Sequence, residues 1–457
     1  MLNESLLQSL VITWLVAGGL LMLVQWKFGR GAGLVAAYLL ELIVLHWLAA
    51  AIYLLPWYYL LDPELVVNGL EVSTYGFVGF ATGVLVATAW GYIRYPNLTR
   101  KPEHAVFAEP ERLKKYLLIG AVSYAVLAPL LTNVATVSAI VNAASGFVVI
   151  ALALVCWNAA HDGSRFRFWG WLLLVSALPF ITISVQGFMG YGLAAAAVVF
   201  AFVGSFYRVS WRTALAALLA GYMGLSLYVT YMRDRDDIRD VVWGGSSAMV
   251  RVQQVASTFT EFEFFDINDI DHLRRIDIRL NQNVLIGAAV QQLRVDPEKF
   301  ANGRTLTDAL IALVPRVLWP DKPMIAGSGN IVSEFTGMRF AEGTSVGVGQ
   351  VMELYINFGL TGVFLGLAVF GFILASIDRN AAVARNEGRW SSFALWFLPG
   401  VAMLQVGGSL VEVTTSAAAA FLVAVIVQRI TDRPQRTTIR RGQRRRHVDA
   451  ELFEPQG

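Results

Sequence analysis

Apolar residues in this chain fall into long unbroken runs, not into the strict alternation of half-buried strands. A helix needs about 20 such residues to cross a bilayer core. The runs predict spans near 8–26, 33–55, 72–93, 116–134, 137–156, 168–187, 190–206, 212–231, 351–376, 391–409 and 412–428. Tight turns are expected near Asn133, between Gly187 and Gly190, and between Ser409 and Glu412. One stretch, 232–350, breaks the rhythm: it is too charged to span and too apolar to be a linker. The expected fold is an all-α polytopic membrane protein of about eleven spans with one large helical loop domain outside the membrane.

Composition agrees. The chain is 56% hydrophobic and 15% charged, with mean hydropathy +0.56, a balance that excludes a soluble enzyme. The single cysteine, Cys156, excludes an intrachain disulfide or a cysteine metal cluster. The first apolar run lacks a basic leader and is long enough to span, so a cleavable signal peptide is not expected.

Charge distribution orients the chain. The connections 27–32, 94–115, 157–167, 207–211 and 377–390, the border residue Arg212 and the tail after 428 hold 23 of the 36 basic residues, and the other 13 all lie in 232–350. Short basic loops stay in the cytoplasm, whereas long domains cross regardless of charge. The N-terminus is therefore expected outside and the C-terminus inside. The resulting division is 1–231 (about eight spans), 232–350 (extracytoplasmic), 351–428 (about three spans) and a basic, disordered tail, 429–457. The tail reads as an anchor on anionic lipid; nothing aromatic lies among the arginines of "RPQRTTIRRGQRRRH" to favour nucleic-acid binding.

Within 232–350, "SSAMVRVQQVASTF" reads as a helix capped by Ser246 or Ser247. Asp266, Asp269, Asp271 and Asp277 invite a calcium reading, but the glycine and terminal glutamate of an EF-hand loop are missing. The expectation is a solvated helix laced with ion pairs to Arg274, Arg275 and Arg279, with no metal and no cofactor. "NQNVLIGAAVQQL" is an apolar-faced helix that packs on the membrane domain or lies in the interface. Thr305 with Asp308 resembles a capping box, and the helix it opens must stop near Val314, before Pro315. The segment "VPRVLWPDKP", stiffened by three prolines, then presents Arg316 and Trp319. A guanidinium there suits a phosphate-bearing ligand near the headgroups; alternatively, Arg316 pairs with an acid or caps carbonyls. The glycine-rich run that follows reads as a mobile loop over a site or a plain connection, and it is not a P-loop. Glu353 and Asn357 share one face of the next span near its outer end. Ionisable residues at such depth often mark function, although snorkelling to the outer surface costs Glu353 little. In the second span Glu41 is either functional or a buried hydrogen-bond partner, and His46, about 140° away around the helix, reads as a packed histidine. His272 is a candidate general base.

"GRTLTDALIALVPRVLWPDKP", the glycine-rich run and "GVGQVMELYINFGLTGVFLG" together resemble the Wzy-type O-antigen and exopolysaccharide polymerases. The resemblance covers residues 303–366 strongly; elsewhere only the architecture agrees. It implies a GT-C-like membrane fold of the bacterial inner membrane and metal-independent joining of undecaprenyl-diphosphate-linked oligosaccharide repeats on the outer face. It also implies a lipid-linked donor and acceptor, membrane lipids, a chain-length regulator and a flippase as partners. Arg316 and Gly327 match an arginine-x10-glycine pattern described in some members. The chemistry then implied gives Arg316 the leaving diphosphate, with Lys322 and Arg339 as helpers. Glu353 is the base and Glu334 its reserve; Trp319, Tyr355, Asn357 and His272 are substrate contacts. A ligase, a flippase or transporter, and a structural export subunit are the rival readings. The large external domain and the lack of clustered mid-span charges argue against a flippase.

The orientation is directly testable. Cysteines introduced at Asp269 and Arg445 should label from opposite sides with an impermeant thiol reagent, and labelling of both from one side of intact cells would overturn it.

Overall fold

The computed structural model describes residues 4–28, 31–94, 105–131, 135–207, 210–316, 318–323, 325–340 and 346–432. Among them there are helices and connections but no strand. In chain order the helices are α1 (Glu4–Lys27), α2 (Leu34–Leu54), α3 (Pro63–Arg94), α4 (Pro110–Leu130), α5 (Val137–His161), α6 (Arg165–Gln186), α7 (Gly190–Phe206) and α8 (Trp211–Arg233). Between α8 and α15 the chain forms a layer of shorter helices, external to the long apolar ones: α9 (Arg235–Trp243), α10 (Ala248–Thr260), α11 (Ile270–Leu280), α12 (Asn283–Val295), α13 (Arg304–Ala312) and α14 (Ser328–Thr336). The chain closes with α15 (Gln350–Asn386), α16 (Trp390–Ala402) and α17 (Leu410–Thr431).

Among the described residues nine helices are long and apolar enough to cross a membrane, and α7 and α16 are shorter apolar helices where two further spans are expected. This is the build of a helical membrane protein. Gly187 does turn the chain, at φ 76°, whereas the turn near Asn133 and the tail from 433 lie outside the described residues.

The central contact is α3 against α15. Four residues apart on α3, Gly79 and Gly83 face it. A Cβ at Gly79 would lie 2.3 Å from the Phe364 carbonyl oxygen, and one at Gly83 would lie 1.9 Å from that of Ala368. Small residues in such rows let membrane helices touch backbone to backbone, where packing replaces the missing hydrophobic drive. α3 also starts nine residues before the predicted span, and its 32 residues reach about 48 Å at 1.5 Å per residue. The surplus projects outward, and α12 docks on it at a glycine from each side, Gly69 beside the Asn283 carbonyl and Gly287 beside that of Leu65.

Several local expectations are corrected. α16 stops at Ala402, and 403–409 is irregular. Ser409 then caps α17 in a capping box with Glu412. Ser247, not Ser246, caps α10. α13 has Gly303 at its N-cap, with no side-chain cap, while Thr305 is buried inside the first turn. The capping-box reading fails because Thr305 is claimed by a tertiary partner. The glycine-rich run contains α14, set off by Gly327 and by Gly337 at φ 70°. Its stripe of Ile331, Val332 and Phe335 is buried, so 328–336 is neither a mobile loop nor a plain connection, while 324 and 341–345 lie outside the described residues. α11 is not a solvated ion-paired helix throughout. Asp277 is 1% exposed and accepts from the hydroxyls of Tyr53 (2.6 Å) and Tyr58 (2.8 Å) and from Asn281 Nδ2 (2.7 Å). It lies beside Leu273 and Ile276 on the buried stripe, where aromatic hydroxyls replace the expected arginines.

Gly83→Val should lower the melting temperature in detergent, by a change on the order of the roughly 1–3 kcal/mol that overpacking costs. Gly170→Ala, at a helical glycine with open space around it, should be neutral.

Candidate functional site

The sequence predicts α15 as one continuous span. Its backbone instead breaks at Phe358 (φ −142°, ψ 18°) and Gly359 (φ 62°, ψ −155°), the second in a region that glycine alone reaches easily. The chain folds back there. Leu354 and Gly366 would lie about 18 Å apart along a straight helix, yet a Cβ at Gly366 would sit 2.6 Å from a Leu354 methyl. Gly76 of α3 likewise faces Val351 from one limb and Val363 and Leu367 from the other. Residues 350–357 thus form a short arm returning alongside the long limb, 360–386. Glu353 and Asn357 belong to the arm and are buried.

A broken helix frees carbonyls that burial makes costly to leave unpaired. The external layer takes them up. Ala301 N–H donates to the Ile356 carbonyl at 2.8 Å, and Gly303 N–H donates to Asn357 Oδ1 at 2.9 Å. Asn357 Nδ2 donates to Thr305 Oγ1 (2.8 Å) and the Glu353 carbonyl (2.7 Å). At the other end, the arm crosses the irregular segment 403–409. Gly349 N–H donates to the Gly407 carbonyl and Gln350 N–H to that of Val406, both at 3.1 Å. Gln350 Nε2 reaches the Gln405 carbonyl (2.9 Å), and the Tyr38 hydroxyl donates to Gln350 Oε1 (2.7 Å). Glu41 Oε2 accepts from Val406 N–H at 3.4 Å, the buried hydrogen-bond alternative weighed for it above.

The arm also grips α17. Glu353 Oε2 accepts from Leu410 N–H, in the first turn of α17, at 2.6 Å. A carboxylate suits the positive end of a helix dipole. Beside it Glu412 accepts from Ser409 N–H and, through its other oxygen, from Ser328 Oγ, both at 2.9 Å. Glu353 is fully buried, and its Oε1 meets no partner in good hydrogen-bond geometry among the described residues, the Thr305 hydroxyl being the side-chain donor beside it. Buried polar atoms are rarely left so. The geometry leaves that oxygen for a proton, a water or a donor from a ligand.

The other predicted residues are placed as follows. Arg316 is exposed, and its Nη1 donates to the Lys322 carbonyl at 3.0 Å, the carbonyl-capping alternative. Lys322 Nζ turns back to the carbonyls of Ala312 (3.2 Å) and Val314 (3.0 Å), a cation at the C-terminus of α13. Trp319 is 40% exposed, and Arg339 is exposed after α14. Glu334 is paired with Arg304 Nη2, both oxygens at 2.7 Å. The Tyr355 ring packs near Phe300. No contact joins Arg316 to Glu353 among the described residues; they flank opposite ends of α13. His272 belongs elsewhere: Nδ1 accepts from Asp266 N–H (3.1 Å), and Nε2 lies 3.3 Å from Glu263. His46 is buried, with Nδ1 3.1 Å from both Asn283 and Ser73. Among the described residues no group of three or more His, Cys, Asp or Glu is placed to hold a metal.

Sequence reading missed Tyr38, Thr305, Ser328, Gln350 and Glu412. A usable signal existed for two of them. Ser409-x-x-Glu412 is a capping-box pattern that marks a helix start, and Gln350, Glu353 and Asn357 recur at helical spacing in an otherwise apolar run.

The fold and site therefore define an all-helical membrane protein whose buried polar centre lies where a fold-back arm crosses an irregular segment under an external helical layer. Residues 64–384, more than half of the chain, match the family described as a domain of unknown function, DUF8712, and the chain belongs to that family. No curated protein and no solved structure matches it. The matched region runs from the start of α3 almost to the end of α15, so it contains the central seam, the external layer and the arm.

Near His272, burial works against the charge of Glu263, but hydrogen bonds from Arg233 and Arg275, each at 2.8 Å, outweigh it and hold its pKa below the usual carboxylate value. A depressed pKa contributes stability above the unfolded value, about 4.3, that is lost as pH falls through the folded one. Glu263→Gln should therefore destabilise at pH 7 by roughly 1–3 kcal/mol, and the difference in melting temperature should shrink as the pH is lowered through the carboxylate range.

Proposed function

We propose that this protein is a lipid-linked glycan polymerase, joining undecaprenyl-diphosphate-linked oligosaccharide repeats on the outer face of the bacterial inner membrane. In this reading its helices form eleven spans of GT-C-like arrangement, with the N-terminus outside and the C-terminus inside. The observation that carries it is Glu353: a buried carboxylate with one oxygen fixed by the Leu410 N–H and the other met only by the Thr305 hydroxyl beside it. A general base needs such positioning and shielding. Glu353, Asn357 and Thr305 lie within 303–366, where the polymerase resemblance is strongest, although the donor to Glu353, Leu410, lies outside it.

The reaction balances without a metal. Glu353 Oε1 takes the proton of an acceptor sugar hydroxyl as that oxygen bonds to C1 of the donor. The bond from C1 to the diphosphate oxygen breaks, and its electron pair leaves on the diphosphate. Arg304, at the Glu353 end of α13, is the nearer cation for that charge. Arg316 stands beyond the far end of α13, about 12–18 Å from Arg304 at 1.5 Å per residue. That separation suits the acceptor's own diphosphate, held while the far end of its oligosaccharide reaches Glu353. In this reading Trp319 sits at headgroup level beside it, and Arg339, Glu334, Tyr355 and Asn357 are further substrate contacts. Anchoring both substrates in one membrane supplies proximity and orientation.

One feature favours a second reading. A broken membrane helix with irregular backbone at a buried polar centre is also how transporters build substrate sites. Deletion strains separate the alternatives. Polymerase loss leaves single lipid-linked repeats, ligase loss leaves full-length unligated chains, and transporter loss leaves repeats on the cytoplasmic face.

With expression matched, Glu353→Gln should keep the fold and lower the polymerisation rate by roughly a hundredfold or more. Arg316→Ala should do likewise, with Arg316→Lys still impaired because a point charge lacks the bidentate fork. Normal chain lengths from Glu353→Gln would remove the base assignment, and normal lengths from Arg316→Ala would leave the proline-rich segment as a structural corner.

A further inference from the structure

A second feature lies far from Glu353, on the side of the molecule that carries the basic connections. There α1, the start of α2, the end of α7 and the start of α8 enclose a cleft of about 680 Å³, open along one side. This is within the range of about 300–1,000 Å³ typical of ligand sites. The cleft is wide because its walls are small: Gly19, Gly33, Ala36, Ala201, Gly204 and Ala214. It is open because the first half of α8 stands away from the other helices, with Leu215, Leu218 and Leu219 exposed at 47%, 72% and 56%.

The interior offers little to a polar ligand. Its floor carries Asp378, but that carboxylate is 3% exposed and already accepts from the backbone N–H groups of Ala32, Leu34 and Val35. The mouth is different. Each rim ends in a tryptophan followed by a cation, Trp26-Lys27 on α1 and Trp211-Arg212 on α8. Trp26 is 51% and Trp211 72% exposed, and the Arg212 guanidinium lies 5.6 Å from the centre of the Trp211 ring. Both cations are exposed. Tryptophan at the headgroup boundary with lysine or arginine just beyond is the arrangement that meets anionic lipid.

We propose that this cleft is a binding site for an anionic glycerophospholipid of the adjoining leaflet. One acyl chain fills the apolar cleft, and the phosphate sits between Lys27 and Arg212. The depth fits a chain rather than a partner helix. The α1 lining runs only from Gly19 to Trp26 and the α8 lining from Ser210 to Ala214, about 11 Å of helix, less than one leaflet of a core about 30 Å thick. The bound chain supplies the contacts that the first half of α8 lacks within the molecule.

The test uses the full-length protein in mild detergent, with phosphatidylglycerol, phosphatidylcholine or undecaprenyl phosphate added, read by native mass spectrometry and by thermal shift. Phosphatidylglycerol should be retained at one per chain and raise the melting temperature as a native-state ligand does, with phosphatidylcholine doing neither. Lys27→Glu with Arg212→Glu should weaken retention roughly tenfold or more. Gly204→Phe should block it while leaving the lipid-free melting temperature unchanged, since a Cβ there meets no atom within 4 Å. Equal retention of both phospholipids, unchanged retention in the variants, or preferential capture of undecaprenyl phosphate would each overturn the proposal. None of these outcomes depends on glycosyl transfer.

Discussion

The hydrogen bond from Leu410 N–H to Glu353 is where the separate parts of this molecule meet. It ties the fold-back arm of α15 to the start of α17. One end of that bond lies on the arm before the break in α15, and the other at the start of α17, after the irregular connection from α16. Non-helical backbone inside an apolar environment is tolerated only when protein groups or trapped water satisfy it. The arm and the irregular segment 403–409 satisfy each other, and Gln350, Tyr38 and Glu41 close most of what remains. The second oxygen of Glu353 is left with the Thr305 hydroxyl alone beside it.

The external layer is part of the same solution. Ala301 and Gly303 reach the outer end of the arm and take up the carbonyl and amide groups that the break releases. Thr305 reaches in beside them through Asn357. α13 then runs from this contact to the proline-rich corner, whose Lys322 folds back to close the same helix. The corner is thereby tied to a helix whose other end lies beside Glu353. Rigidity of this kind is what a site needs to hold its groups in place, and it explains why three prolines are concentrated at that turn. At the opposite end of the molecule Asp378 organises the start of α2 by accepting three backbone N–H groups. Both ends of the helical core are thus held by buried carboxylates bonded to backbone amides.

The backbone contacts also explain the glycines. Along α3 they allow α15 to approach until carbonyls stand where side chains would be. That approach leaves no room between the two helices, so the polar centre forms beside the seam and not within it.

By itself the sequence determined the helical class and the position of nearly every apolar segment. These follow from the hydrophobic run length and the scatter of charge, which are local and additive. It also singled out Glu353 and Asn357, because polar residues in an oily run are conspicuous. What only the tertiary structure decided was how those residues are used. Phe358-Gly359 reads as ordinary helix in sequence, and the fold-back becomes visible only when Leu354 is found against Gly366. Thr305 carries the pattern of a cap but is taken by Asn357, and Asp277 carries the pattern of a surface ion pair but is taken by two tyrosines. In each case a partner distant in the chain outcompetes the local one. A buried hydrogen bond, once water is excluded, is too costly to leave unmade.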